Sequence, residues 1–517
     1  MRLAEAVGAI SLAIDIGMGQ PLEQGLRTCL IATGLARASG LGEADTRRVY
    51  YLSLLRHVGC TAESDAAAHF LGDEIAFRRG AVGLDFTKPT TMLPYIVRTV
   101  GVGQSSWGRT RQIGRLMAGQ KKFLGAMNAV CETGQLLATR LGFDDVVQQG
   151  LWQIFEQWDG KGLPGRVGGE DIVLPARFVA IAELFEARCR TDGQEAAVSA
   201  VQGRKGTAFA PEIVDCLCRE ADALAAPAAE PSVWDEVMAA EPEPGPPLDG
   251  ARLDAVLEAL ADFADIKSTY TLGHSRGVAD LAAAAGQVVS LPAADVTTLR
   301  RAGLVHDVGR VGVSAGVWGK DGSLSRDDWE KVRLHPYYTE RVLTRPSELA
   351  RLGQLASTHH ERVDGAGYHR AVPGSVLSRS ARILAAADGY RARIEERPHR
   401  PPFAPAEAAA SLRADGRDGR LDSEAVDAVL EAAGHGAGRR RGRANVGGLT
   451  EREVEVLRLV AKGQSIKEIG ASLTIAPKTA DAHIQHIYAK LGVSTRAGAT
   501  LIAVERGLVD RAGPGSE

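Results

Sequence analysis

The stretch RAGLVHDVGRVGV, residues 301–313, decides how this chain is read. An apolar run stops at His306 and Asp307 and turns on Gly309, which sets two metal-binding side-chain types side by side where a helix ends. Such a pair alone is more often a surface histidine beside a capping aspartate than a site. Its meaning rests on partners elsewhere in the chain.

Working outward, TYTLGHSRGVADLAAAAG (269–286) places His274 at the start of an alanine-rich helix. Downstream come KVRLHPYYTERVL (331–343) with His335, STHHERVDGAGYHRAV (357–372) with His359 and His360, and RILAAADGYRARIEERPHR (382–400) with Asp388. Seven of the twelve histidines fall between 274 and 399, a concentration expected of converging ligands rather than scattered core residues. Imidazole with carboxylate suits first-row transition metals, and a carboxylate such as Asp307 can bridge two ions.

The composition sets the frame. The chain has 517 residues, 45% hydrophobic and 24% charged, with a net charge of -3, the profile of a soluble globular protein of two to four domains. Aromatic residues make up only 5%, while alanine recurs in AAAAG, AEAAAS and ILAAAD, which predicts an all-α protein of closely packed helices. Bulk charge names no partner. No apolar stretch approaches the roughly 20 residues of a membrane span, and MRLAEAVGAISLAIDIG is a poor secretory signal, so a cytoplasmic protein without membrane partners is expected. All six cysteines lie in the first half with no zinc-module spacing and read as reduced thiols.

Two stretches read as joints. Residues 223–249 are rich in Pro, Ala and Glu, a composition that resists packing, and 434–448 are Gly-rich with Arg439, Arg440, Arg441 and Arg443. The expected domains are 1–222, 250–433 and 449–512.

The last of these punctuates itself as four short helices. Thr450 with Glu453 and Ser465 with Glu468 fit capping boxes, Val454, Leu457 and Val460 share a face, and Gly463 can end the first helix. Pro477 opens a helix with Ala480, Ile484, Ile487 and Leu491 apolar, closed by Gly492. With LTERE, KEIG, KTADAHIQHIYAKLGV and STR, the segment resembles the LuxR-type helix-turn-helix DNA-binding domain. That resemblance implies double-stranded DNA as partner. Lys478, Thr479, Asp481, Ala482, His483 and Gln485 would face the major groove or its phosphates, with Lys490 on the backbone, and a homodimer would read half-sites.

In order and spacing, residues 250–425 resemble the HD-GYP family of HD-domain metal-dependent phosphohydrolases. The resemblance implies that His274, His306, Asp307, His335, His359, His360 and Asp388 ligate two or three divalent ions, most often iron or manganese, with Asp307 bridging. A metal-activated hydroxide would then cleave a phosphoester or cyclic nucleotide such as cyclic di-GMP, with Asp307 and Arg310 in the catalytic role. Glu361 and Asp364 would hold the histidine loop, and Gly367 and Tyr368 belong to the substrate loop. This chain departs from the family at Arg310, where Lys is usual, at His369, where Gly-Tyr-Pro has its proline, at Arg391, where Asp is usual, and at His399. The ligand set therefore points to an enzyme coupled to transcription. The altered loop leaves open a regulator whose metal domain only senses.

Residues 1–222 repeat the middle segment. FEQWDGKGLPGRVGGEDIVLPARFVAIAELFEA matches HERVDGAGYHRAVPGSVLSRSARILAAADGYRA, pairing Asp159 with Asp364 and Glu183 with Asp388, both 205 apart, and LLRHVG (54–59) parallels LVHDVG (304–309). In that register Ile154 and Phe155 replace the paired histidines, Arg56-His57 replaces His306-Asp307, and Cys131 stands for His335. This half is expected to lack the metal centre and to serve either as a packing partner or as a sensory pocket.

Overall fold

The computed structural model describes residues 1–85, 88–102, 105–345, 347–435, 449–505 and 508. The described residues are helical, with no strand and only three isolated bridges, in line with the alanine-rich composition. The chain forms two compact units, Met1–Leu253 and Asp254–Glu517. No helix among the described residues is long and apolar enough to cross a membrane.

The same helical frame occurs once in each unit. Helices Gln24–Ala38 and Glu43–Leu55 of the first unit match His274–Val288 and Ala293–Val305 of the second, with starts 250 apart (274 − 24 and 293 − 43). The long helices Leu174–Asp192 and Arg379–Ile394 start 205 apart (379 − 174). A buried carboxylate pins the start of each frame. Asp15 Oδ1 accepts the Gly25 N–H at 3.0 Å, and Asp265 accepts the Ser275 N–H at 2.8 Å and its hydroxyl at 2.7 Å. Burial pushes Asp15 up to about 8 and Asp265 up to about 7. Small residues then let helices close in: a Cβ on Gly303 would lie 2.6 Å from Ala279 Cα, so His274–Val288 and Ala293–Val305 cross at backbone contact, with Val278, Ala282, Leu299 and Ala302 sealing the core around them.

Residues 223–249 are not the extended stretch that their composition predicts. Ala221–Ala229 and Trp234–Ala239 are helical, and Val233, Trp234 and Val237 are buried in the first unit. The Tyr50 hydroxyl donates to the Val237 carbonyl and the Tyr51 hydroxyl to Glu241. The reason lies in VWDEVM (233–238), whose apolar residues recur at helical spacing inside a Pro- and Glu-rich context. Of the second expected joint, residues 436–448 lie outside the described residues.

Toward residue 505 four helices follow: Glu451–Ala461, Ile466–Ser472, Pro477–Leu491 and Arg496–Glu505. Both capping boxes form, at Thr450 with Glu453 and at Ser465 with Glu468, and Gly492 ends the third helix in the left-handed region at φ 68°. Leu457, Val460, Ala480, Ile484 and Ile487 make the core of this bundle.

Candidate metal centre

Three of the ligand candidates are held by their own local backbone. His306, His335 and His359 sit at or just beyond helix ends, and each Nδ1 faces the carbonyl oxygen three residues earlier: Gly303 at 2.7 Å, Val332 at 2.5 Å and Ala356 at 2.7 Å. A carbonyl only accepts, so Nδ1 carries the proton and Nε2 presents a lone pair. All three rings turn that lone pair on Asp307. His335 Nε2 and His359 Nε2 lie 3.3 and 3.5 Å from Asp307 Oδ1, and only 3.0 Å from each other. His306 Nε2 and His274 Nε2 lie 3.5 and 3.6 Å from Oδ2 of the same carboxylate.

Lone pairs gathered this closely in a buried site repel one another unless a cation lies among them. His306 Nε2 and Asp307 Oδ1 have no hydrogen-bond partner among the described residues, although both are buried. The donor set therefore fits metal ions. Three overlapping groups have ligand atoms within 4.8 Å of one another: His335, His359 and His360; His274, His306 and Asp388; and His306, Asp307 and His359. All seven residues expected as ligands thus converge, with His360 Nδ1 3.7 Å from Asp388 Oδ2 and His274 Nε2 3.1 Å from Asp388 Oδ1.

Protonation agrees with that fit, because ligands must be deprotonated to bind. Burial keeps His306 neutral, its pKa pushed down to about 4, and lowers His335 and His360 as well. Burial opposes charge on Asp307 too, but the Arg310 guanidinium and the surrounding imidazoles hold it well below the usual carboxylate range. His274 is the exception. Burial resists its charge, yet Glu395 on Nδ1 at 2.8 Å and Asp388 raise it to about 10.

Glu395 is a residue that the sequence reading misses. It lies seven positions, two turns, beyond Asp388, orients His274, and is itself paired with Arg397 at 2.9 Å and Arg391 at 3.1 Å. Its signal was the same-face spacing from Asp388. Arg391, the departure from the family pattern, fits because Gly277 leaves it room: a Cβ there would lie 2.6 Å from the guanidinium carbon.

The flanking residues take distinct places. Arg310 Nη1 meets Asp307 Oδ2 at 2.9 Å and its guanidinium stacks 3.9 Å over the Trp318 ring. Glu361, buried, accepts the Arg370 and Val372 N–H groups and so ties the loop that follows the histidines. Asp364 is exposed and caps its own turn at the Ala366 N–H. Gly367 has no room for a side chain, with Arg362 N 2.5 Å from the position of a Cβ. The Tyr368 ring stacks on His360 with centroids 4.7 Å apart, and His369 Nε2 meets Glu340 at 3.2 Å.

The matching place in the first unit holds no such ligands. Glu183 remains, but Ile154 is buried beside it in place of an imidazole, and Phe155 in place of the other. Positive charge comes instead from protein: Arg56 Nη2 and His57 Nε2 lie 2.7 and 2.5 Å from Glu183. Val130, not Cys131, replaces His335. Gly309 packs against His335 O and Thr339 N, and Gly59 packs in the same way against Val130 O and Gly134 N, a one-residue correction to the sequence register.

In the four-helix bundle, Lys478, Thr479, Ala482 and Gln485 are exposed on one side of Pro477–Leu491, with Asp481 and His483 half-buried beside them. Lys490 is engaged within the fold, its Nζ 2.7 Å from Glu453 of the first capping box.

Comparison with known proteins matches the helical second unit and the four-helix bundle to known families. The HD domain model matches residues 125–213 and 258–425, and the model of bacterial regulatory proteins of the luxR family matches 448–503. A 3'3'-cGAMP-specific phosphodiesterase 3 of Vibrio cholerae is 31% identical over 438 residues, 83% of this chain and 94% of the relative. A cyclic di-GMP phosphodiesterase of Thermotoga maritima is 31% identical over 179 residues, 34% of this chain and 48% of its own. The crystal structure of a cyclic GMP-AMP-specific phosphodiesterase of Vibrio cholerae superposes with a TM-score of 0.57 at 27% identity, covering 84% of this chain and 98% of that one.

Proposed function

Because the chain belongs to the HD-domain family, in its HD-GYP branch, and carries a LuxR-type DNA-binding domain, we propose that it is a cytoplasmic, homodimeric transcriptional regulator whose second unit hydrolyses a cyclic dinucleotide. The observation that carries the enzymatic part is the cluster of unprotonated Nε2 atoms turned on the ionised Asp307 carboxylate, whose Oδ1 is buried without a hydrogen-bond partner among the described residues. His274, His306, Asp307, His335, His359, His360 and Asp388 would hold two or three ions, iron or manganese, with Asp307 shared between them. When bound, the ions supply Lewis acidity to water and offset charge on the phosphodiester. Arg310, fixed by Asp307 and Trp318, stands at the rim and offers a planar donor to a phosphate oxygen where the family's lysine would offer a point charge. Tyr368, stacked on His360, supplies an aromatic face for a base. We assign 3'3'-cGAMP as the preferred substrate, since the relative matched over 83% of the chain is named for it and the loop here reads Gly367-Tyr368-His369.

The test is purified protein assayed with manganese or iron against 3'3'-cGAMP and cyclic di-GMP. A linear dinucleotide released from 3'3'-cGAMP, and lost in His306→Ala, supports the reading; bound metal without turnover of either nucleotide overturns it. Glu395→Gln, which keeps shape but removes the charge behind His274, is expected to lower metal affinity about 10- to 100-fold in a chelator competition titration. On the DNA side, Lys478→Ala is expected to weaken binding to a duplex selected from random sequence and to reduce the slope of log affinity against log salt by about 1. An unchanged slope would remove Lys478 from the phosphate contacts.

A further inference from the structure

The first unit keeps a cavity of about 250 Å³ where the second unit has its metal centre. Glu183, Ile154, Phe155 and Val130, the residues that stand in for Asp388, His359, His360 and His335, all line it. From there it runs between apolar side chains, among them Phe70, Phe77, Leu184 and Phe209. At one end Arg56 and His57 share the carboxylate of Glu183, and the Glu156 carboxylate on the same lining accepts the Gly165 and Arg166 N–H groups. Arg56 spends only Nη2 on that pair. Its Nε and Nη1 are buried without a hydrogen-bond partner among the described residues, and its side chain is 10% exposed. A buried guanidinium with unmet donors is costly, and an acceptor carrying negative charge relieves it best.

We propose that this cavity is a binding site for a small apolar carboxylate, whose anionic head meets Arg56 and whose alkyl or aryl tail fills the space between the phenylalanines. The size argues against a cyclic dinucleotide, because pockets that enclose drug-sized ligands occupy about 300–1,000 Å³. The walls between the phenylalanines are aromatic and aliphatic, which suits an alkyl or aryl tail, while Glu63, Arg78, Glu156, Gln157 and Arg204 also line the cavity. The site is independent of the metal centre and would report a second metabolite to the same chain.

Isothermal titration of the full chain with octanoate and with its neutral counterpart octanamide tests this. Octanoate is expected to bind once per chain, and octanamide about ten- to a hundredfold more weakly, the cost of losing a charge-assisted hydrogen bond. Arg56→Gln keeps the volume and is expected to lose octanoate by a similar factor. Ala180→Trp fills the cavity and is expected to abolish binding, with an unchanged melting temperature and metal content showing that it has folded. No binding of octanoate, equal binding of octanamide, or retained binding in a folded Ala180→Trp protein would each overturn the proposal. So would displacement of octanoate by 3'3'-cGAMP from the His359→Ala chain, whose own centre is disabled.

Discussion

Asp307→Asn lowers turnover by about 1,000-fold or more while the protein keeps its helical content. The expectation follows from geometry. The two oxygens of Asp307 face the Nε2 atoms of four histidines, His335 and His359 on one side and His274 and His306 on the other, so this carboxylate sits between histidines of all three ligand groups. An amide has the same shape, hence packing survives, but a neutral oxygen cannot offset the charge of two cations. Charge stabilisation of this kind is worth several kcal/mol in the transition state, and each 1.36 kcal/mol is tenfold in rate. Steady-state assays with saturating metal, with circular dichroism as the fold control, measure it. A loss of only a few-fold would mean that Asp307 does not bridge.

Gly309→Ala is expected to destabilise the second unit by about 3 kcal/mol and to empty the centre of metal. A Cβ at this position would fall 2.1 Å from the His335 carbonyl oxygen and 2.4 Å from Thr339 N. Both are backbone atoms, so no side chain can swing aside, and the helix that carries His335 must shift. Two further bonds tie the same segment: Gly309 N–H donates to the Thr339 hydroxyl, and that hydroxyl to the His306 carbonyl. Gly59→Ala is the matched control. Its Cβ would meet Val130 O at 1.9 Å, which costs stability in the first unit but leaves the metal ligands untouched. Denaturant unfolding together with metal analysis separates the two variants, and equal metal loss in both would contradict this account of the glycine.

The convergence of the seven candidate ligands was legible because a metal site would demand particular side chains at positions that the helical frame fixes, so order and spacing survive in the sequence. The capping boxes at Thr450 and Ser465 were legible for a similar reason, since each is a local exchange over three residues. What could not be read was set by contacts distant in sequence. Glu395 matters only because the frame brings it to His274, 121 residues away. Residues 223–249 carry a composition that usually stays extended, and their helices form because Trp234 and Val237 find cover in the first unit, where Tyr50 and Tyr51 also bind the chain. The slip at Cys131 arose because two offsets, 250 and 205, meet between LLRHVG and the matching histidine loop. The 205 offset carried back to His335 gives Val130 (335 − 205), and the close approach of Gly59 to the Val130 carbonyl bears that out.

Anomalous diffraction from crystals grown with manganese, recorded near the metal's absorption edge, addresses the central claim most directly. Peaks among the Nε2 atoms of His306, His335 and His359 and the two oxygens of Asp307, at least two per chain and none beside Glu183, are the predicted result. A metal-replete crystal with no anomalous density within coordination distance of Asp307 would contradict it.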